Sequence, residues 1–334
     1  MQDVADLVNV SKQTVSAVIN DKPGITDETR ARVLAAITQL GYRMDLTARG
    51  LRTGRTHTIA LIVTDVSSPV SGKMASAAEE HTYAERYNLV LYNTHDDLER
   101  ERFYIDSILQ RSVDGVMFVS ATDASTALNK LQAAGIPVVV IDRVPKSYRG
   151  AAVVLDNAAA GRMAAEHLVG LGHTRIAHVS GPEIVHIARE RLAGFQQALA
   201  ERDLAPVDIE LADDWQLGAG YRAMARLLGR GADFTAVFCA GDLLAIGGMA
   251  ALRERGRRVP RDVSVISIDD VDLAAYLDPP LTTVSQSIGR MATSGIQLLF
   301  ELLAGREPEP LKVVIQPELV VRQSTAVPRR ERAS

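Results

Sequence analysis

From Thr58 onward the chain alternates short apolar runs with amphipathic stretches, and that alternation narrows the folds open to it more than any other feature. The runs fall at residues 59–63, 89–92, 116–119, 138–141, 153–155, 176–179, 209–211, 236–239 and 263–268. Between them, apolar residues recur at helical spacing over 161–171, 188–200, 220–228 and 243–253. Strands alternating with helices predict doubly wound parallel sheets. More than eight strands would overfill one sheet, so two α/β lobes are expected.

At 334 residues, 47% of them hydrophobic, the chain can bury sizeable cores. Aromatic residues are only 4%, so Val, Ile, Leu and Ala must fill those cores. The net charge of −4 argues against a protein coated in nucleic acid, so any DNA contact must come from a local patch. Cys239 is the single cysteine and lies in the apolar run Ala-Val-Phe-Cys-Ala, which excludes an internal disulfide and fits a buried strand in a reducing compartment. No stretch reaches the ~18 apolar residues of a membrane span. The N-terminus lacks a secretory signal pattern, so a cytoplasmic protein is expected.

Enzyme signatures are missing. The histidines have no pair at metal-ligand spacing, and His173 and His178 are expected on a loop and a strand surface. No Gly-x-Ser-x-Gly elbow occurs. Gly218-Ala-Gly-Tyr-Arg-Ala223 matches a dinucleotide fingerprint formally, but Asp213-Asp214-Trp215 separate it from the preceding run. The expectation is no catalysis, no cofactor and no metal.

The first twenty residues point elsewhere. Val4, Ala5 and Val8 make one apolar stripe, and Val15, Val18 and Ile19 a second. Asn9-Val10-Ser11 between them supplies a residue tolerant of left-handed backbone and a hydroxyl to cap the second helix. Two short helices across so tight a turn form a helix-turn-helix, whose second helix fits the DNA major groove. A third helix follows, capped by Thr26 and stopped by Gly41, with Val33, Leu34, Ile37 and Leu40 as its expected stripe. Residues 43–56 are basic and glycine-punctuated, as a linker would be.

Several ordered motifs then carry a family likeness: Asp3-Val-Ala, Val10-Ser-Lys-Gln-Thr-Val-Ser, Val18-Ile-Asn20, Leu40-Gly-Tyr42, Leu51-Arg-Thr-Gly-Arg-Thr56, Val140-Ile-Asp-Arg143, Gly170-Leu-Gly-His173, Arg191-Leu-Ala-Gly-Phe195 and Pro280-Leu-Thr-Thr-Val284. Across nearly its whole length the chain resembles the lactose/galactose-repressor (LacI/GalR) family of bacterial transcription regulators. The resemblance implies an all-α helix-turn-helix DNA-binding head over 1–44, a hinge over 45–57 and an α/β two-lobed effector domain over 58–328. That domain would be periplasmic-binding-protein-like (type I) with doubly wound parallel sheets, followed by a disordered tail at 329–334. The first lobe would combine about 58–156 with 285–313, and the second about 157–284 with 314–328.

The resemblance also assigns residues. Lys12, Gln13 and Ala17 fall on base-reading positions, and Thr14, Ser16 and Asn20 on phosphate-positioning ones. Leu51, flanked by Arg49 and Arg52, stands where such repressors wedge a leucine into the minor groove. Gly50 lowers helix propensity there by roughly 1 kcal/mol, so the hinge is expected to fold only on DNA. Met1-Gln2 stand where relatives carry a hydroxyl cap for the first helix. The effector cleft would hold Ser71, Asp142, Arg191, Trp215, Asp242, Asp269 and Gln286. A guanidinium, an aromatic face and several carboxylates suit a sugar, and the aromatic pair usual in the first cleft loop is replaced by Ser68-Pro69-Val70-Ser71. The implied protein is a homodimeric repressor on a palindromic double-stranded DNA operator, controlled by a small molecule, most simply a sugar, with no membrane partner. Two alternatives stand beside it: a solute-binding protein of the same two-lobed fold, and a regulator whose shortened head is impaired.

Overall fold

The computed structural model describes residues 1–19, 21–42, 55–111, 113–120 and 127–329. Two compact units divide the chain, 1–56 and 57–334.

In the first unit, α1 (Gln2–Leu7), α2 (Lys12–Ile19) and α3 (Asp27–Gln39) share a small core of Val4, Ala5, Val8, Val15, Val18, Val33 and Ala36. Asn9 takes φ +50°, the left-handed turn expected of it, and Ser11 Oγ accepts from the Thr14 amide at 3.0 Å to cap α2. Thr26 caps α3 in the same way, at 3.3 Å from the Thr29 amide. The expected α3 stripe needs correction. Leu34 and Leu40 are exposed, and Ala36 is buried instead, because Val33, Ala36 and Ile37 define the inward face while Leu34 points about 100° away from Val33. Met1 precedes α1 without a side-chain capping bond.

The second unit holds two six-stranded sheets. The first contains β1 (Thr58–Val63), β2 (Asn88–Asn93), β3 (Gly115–Phe118), β4 (Val138–Ile141), β5 (Ala152–Leu155) and β11 (Lys312–Ile315), in the order β11-β5-β4-β3-β1-β2. The second contains β6 (Ile176–Ser180), β7 (Ile209–Leu211), β8 (Ala236–Cys239), β9 (Ser264–Asp269), β10 (Thr282–Ser285) and β12 (Glu318–Val320), in the order β12-β10-β9-β8-β6-β7. Pairing is parallel except between β10 and β12.

Helices cover both faces of each sheet. In the first lobe α4 (Pro69–Ala84) and α11 (Ile288–Leu303) pack on one face, and α5 (Leu98–Arg111) and α6 (Ala127–Ala133) on the other. In the second, α7 (Asn157–Gly170) and α8 (His186–Ala200) cover one face, and α9 (Leu217–Gly229) and α10 (Asp242–Glu254) the other. Central strands β3, β4 and β8 are therefore buried at every position.

The chain passes between sheets after β5, after β10 and after β11. The last passage lies at 316–317, a little beyond the boundary expected at 313–314, because β11 keeps its register with β5 through Ile315. Gly218–Ala223 lies inside α9, where its glycine serves packing: a Cβ on Gly220 would sit 2.3 Å from the Leu244 carbonyl oxygen of α10. His173 lies in a loop and His178 on a strand, as expected, but neither is at the surface, since both are buried. With helices on both faces, a strand has no solvent side for His178, and its Nδ1 donates to the Phe238 carbonyl at 2.9 Å. Among the described residues no helix is long and apolar enough to cross a membrane.

Candidate functional site

In an open parallel sheet the carboxyl ends of the strands leave a crevice, and ligands bind there. Both sheets present those ends to one cavity of about 390 Å³. The first lobe contributes Asp65 after β1, Asp96 after β2, Asp142 after β4, and Ser68, Val70 and Ser71 at the start of α4. The second contributes Ile187 and Arg191 one turn apart on α8, Asp213 to Gln216 after β7, Gly241 after β8, Asp269 at the end of β9 and Gln286 after β10. Backbone strain gathers at these strand ends: Asp142, Asp269, Asp270 and Ser287 have φ of +63°, +130°, +58° and +48°.

Arg191 is buried and fully oriented. Its Nε donates to Asn157 Oδ1 at 2.9 Å and its Nη1 to the Ala240 carbonyl at 2.6 Å, while Nη1 lies 3.6 Å from Asp269 Oδ1. The guanidinium also sits 5.6 Å from the centroid of the Trp215 ring. Gly181 makes room for that indole, since a Cβ there would fall 2.3 Å from it. Asp269 accepts from Gln286 Nε2 at 2.6 Å and from the Asp242 amide at 3.2 Å. Burial pushes the Asp269 carboxyl well above the usual carboxylate range, Arg191 pulls it back, and the Asp242 and Asp142 charges raise it again.

Six of the seven expected cleft residues thus meet here: Ser71, Asp142, Arg191, Trp215, Asp269 and Gln286 line the cavity. Asp242 does not. It is completely buried beneath the floor, and its oxygens accept from Ser267 Oγ at 2.5 Å, Thr283 Oγ1 at 2.7 Å and the Val271 amide at 2.8 Å. With three internal donors, that carboxylate ties α10 to β9 and β10 rather than facing a ligand. Burial raises its pKa despite those donors.

Other lining residues escaped the sequence reading. Asp96 and Arg143 form a 2.5 Å ion pair, and Arg143 lies 6.0 Å from the Trp215 centroid across the cleft. Arg143 directly follows Asp142, so a signal existed in the run Val140-Ile-Asp-Arg143. Asp65 accepts from Gln216 Nε2 of the facing lobe, and Lys73 on α4 reaches Asp272 of that lobe at 2.9 Å. Nothing local in the sequence announces those pairs, whose members lie over a hundred residues apart.

In the head, Lys12 and Gln13 are exposed at the start of α2, and Ser16 and Ala17 are half-buried one turn on. Thr14 Oγ1 lies 2.9 Å from Ser11 Oγ, so its hydroxyl belongs to the helix cap. Asn20, Arg49, Leu51 and Arg52 lie outside the described residues.

Comparison with known proteins agrees with this architecture. Residues 1–45 match the bacterial regulatory proteins of the lacI family, and residues 165–325 match the periplasmic binding protein-like domain. The chain is 34% identical over 332 residues to the HTH-type transcriptional repressor PurR of Mannheimia succiniciproducens, covering 97% of this chain and 98% of that protein. Among solved structures it is similar to the lac repressor dimer bound to operator and the anti-inducer ONPF, at 26% identity and a TM-score of 0.87, covering 97% and 98% of the two chains. It is also similar to the transcriptional regulator CelR in complex with cellobiose, at 30% identity and a TM-score of 0.75, with the same coverage.

Proposed function

We propose, from the premise that this chain belongs to the lacI family of bacterial regulatory proteins, that it is a repressor whose hold on a palindromic operator is set by a sugar bound between its lobes. The DNA-binding, ligand-regulated repressor is the family's part of that statement; the sugar, the palindrome and the homodimer are our reading. The observation that carries it is the cleft itself. A single indole, a buried guanidinium and a ring of carboxylates converge on one cavity of about 390 Å³. Carboxylates accept hydroxyl protons, and an indole face covers the C–H face of a pyranose. The similar regulator CelR is in complex with cellobiose, which supports a carbohydrate as the effector.

On the DNA side, Gln13 can pair bidentately with adenine and Lys12 can donate to guanine acceptors. The lac repressor dimer on its operator supports two heads on two half-sites, which a palindrome matches. The capped head favours this reading over a solute-binding role. A bound sugar that prefers one lobe arrangement shifts the population of DNA-competent protein by its differential affinity alone.

Sites selected from random duplexes by the purified chain test the reading. Inverted repeats are expected, with Gln13→Ala relaxing the preference at one base pair by about 1–3 kcal/mol. Binding that is non-specific and lost at moderate salt would contradict it.

A further inference from the structure

The cleft is richer in acceptors and in negative charge than a neutral sugar requires. Of its carboxylates, Asp96 is paired with Arg143 at 2.5 Å and Asp269 lies 3.6 Å from Arg191. At the mouth, Asp213 and Asp214 lie 3.3 and 3.8 Å from Arg222. Asp65 and Asp142 have no basic partner among the described residues. Asp65 is at least hydrogen-bonded, by the Ser67 amide and hydroxyl at 2.8 Å each and by Gln216. Asp142 is not so served: its Oδ1 is buried without a hydrogen-bond partner. His95 turns its Nε2 to the Asn93 amide nitrogen at 3.0 Å, so it acts as an acceptor there.

A second, independent observation concerns Gln286. The side chain is 97% buried, since the residue is only 3% exposed, and its Nε2 is spent on Asp269 at 2.6 Å. That bond fixes the amide orientation and leaves Oε1 as a buried acceptor without a donor. Two residues that line the cavity, Asp142 and Gln286, therefore carry unserved buried acceptors, one of them a carboxyl oxygen, against one unserved donor, the indole Nε1 of Trp215. Leaving such groups unpaired is costly, and the complement to them is a ligand with excess donors and positive charge. An alkylammonium supplies three donors, no acceptor and one charge.

From this geometry we infer that the effector is an amino sugar, a polyol bearing a protonated amine that docks on Asp142, with Gln286 Oε1 receiving a neighbouring donor. The inference rests on the reading of the cleft as a sugar site and narrows it. Anionic effectors such as sugar phosphates are disfavoured by the same carboxylates.

Isothermal titration of the full chain with matched probes decides it: glucosamine against glucose, galactosamine against galactose and mannosamine against mannose, with glucose 6-phosphate as the anionic control. At least one amino sugar is expected to bind about tenfold or more tightly than its parent hexose, as a charge-assisted bond to a buried acceptor should give. Asp142→Asn keeps the left-handed backbone, which asparagine tolerates, and should erase that preference. Sugar-dependent change in Trp215 fluorescence in the variant then reports an intact cleft. A parent hexose that binds as well as its amino counterpart, or a preference that survives in Asp142→Asn, overturns the inference and leaves the sugar reading standing. Binding by none of the sugars overturns both.

Discussion

Removing the Asp242 carboxylate leaves Ser267, Thr283 and the Val271 amide without their shared acceptor in a dry interior. Asp242→Ala is therefore expected to cost about 3 kcal/mol of stability, read as a shifted urea midpoint, whereas a change below about 1 kcal/mol would contradict the structural role given to it. His178 makes a pH prediction. Burial between Phe195 and Phe238 lowers its pKa to about 3, only partly offset by its bond to the Phe238 carbonyl. The unfolded chain takes up that proton near 6.5 and the folded chain refuses it. Stability from this residue is thus complete above about pH 6.5 and drains away as pH falls toward 3. Asp242 and Asp269 work in the opposite direction, because their raised pKa values make the folded state hold protons that the unfolded state has lost. Comparing wild type with His178→Phe cancels those carboxylates. The variant should lose less stability between pH 6.5 and 4 than the wild type does, and parallel curves would refute the assignment.

Local chemistry decides the elements. Ser11→Ala removes the α2 cap and should lower the stability of the head by about 1 kcal/mol, visible as a lower melting point for its helical signal. Gly247→Ala should be worse for the effector unit, because a Cβ there would lie 2.0 Å from the Leu217 carbonyl oxygen and wedge α9 from α10. Wild-type melting in that variant would mean the two helices are not so closely packed. Turns and caps such as Asn9, Ser11 and Thr26 were legible in the sequence because each acts on backbone within three residues. Strands β1 to β9 were legible too, since a run such as Val138–Ile141 suits only a strand covered on both faces. What was not legible depends on the far side of the packing. His173 reads as a loop residue, yet Thr235, Ser264 and the Ala326 carbonyl close around its ring from three distant segments. In the same way Asp242 reads as a cleft acid until β9, β10 and the Val271 amide just beyond β9 bring it three donors.

At the level of the whole effector domain, contacts between Asp65 and Gln216, Lys73 and Asp272, and Arg143 and Trp215 join the lobes across the cleft. The Lys73–Asp272 pair is exposed and contributes no more than about 1 kcal/mol, so ligand contacts outweigh it in setting the lobe arrangement. That balance suits a switch, in which a ligand of modest differential affinity shifts the population. The most direct test is operator affinity of the full chain, measured by fluorescence anisotropy with and without a saturating cleft ligand. The operator is one obtained by selection and the ligand one identified by titration. The account predicts a change of tenfold or more in operator Kd, absent in Trp215→Ala although that variant still binds the operator when no ligand is added. An operator Kd that is the same with the cleft empty and filled would contradict it.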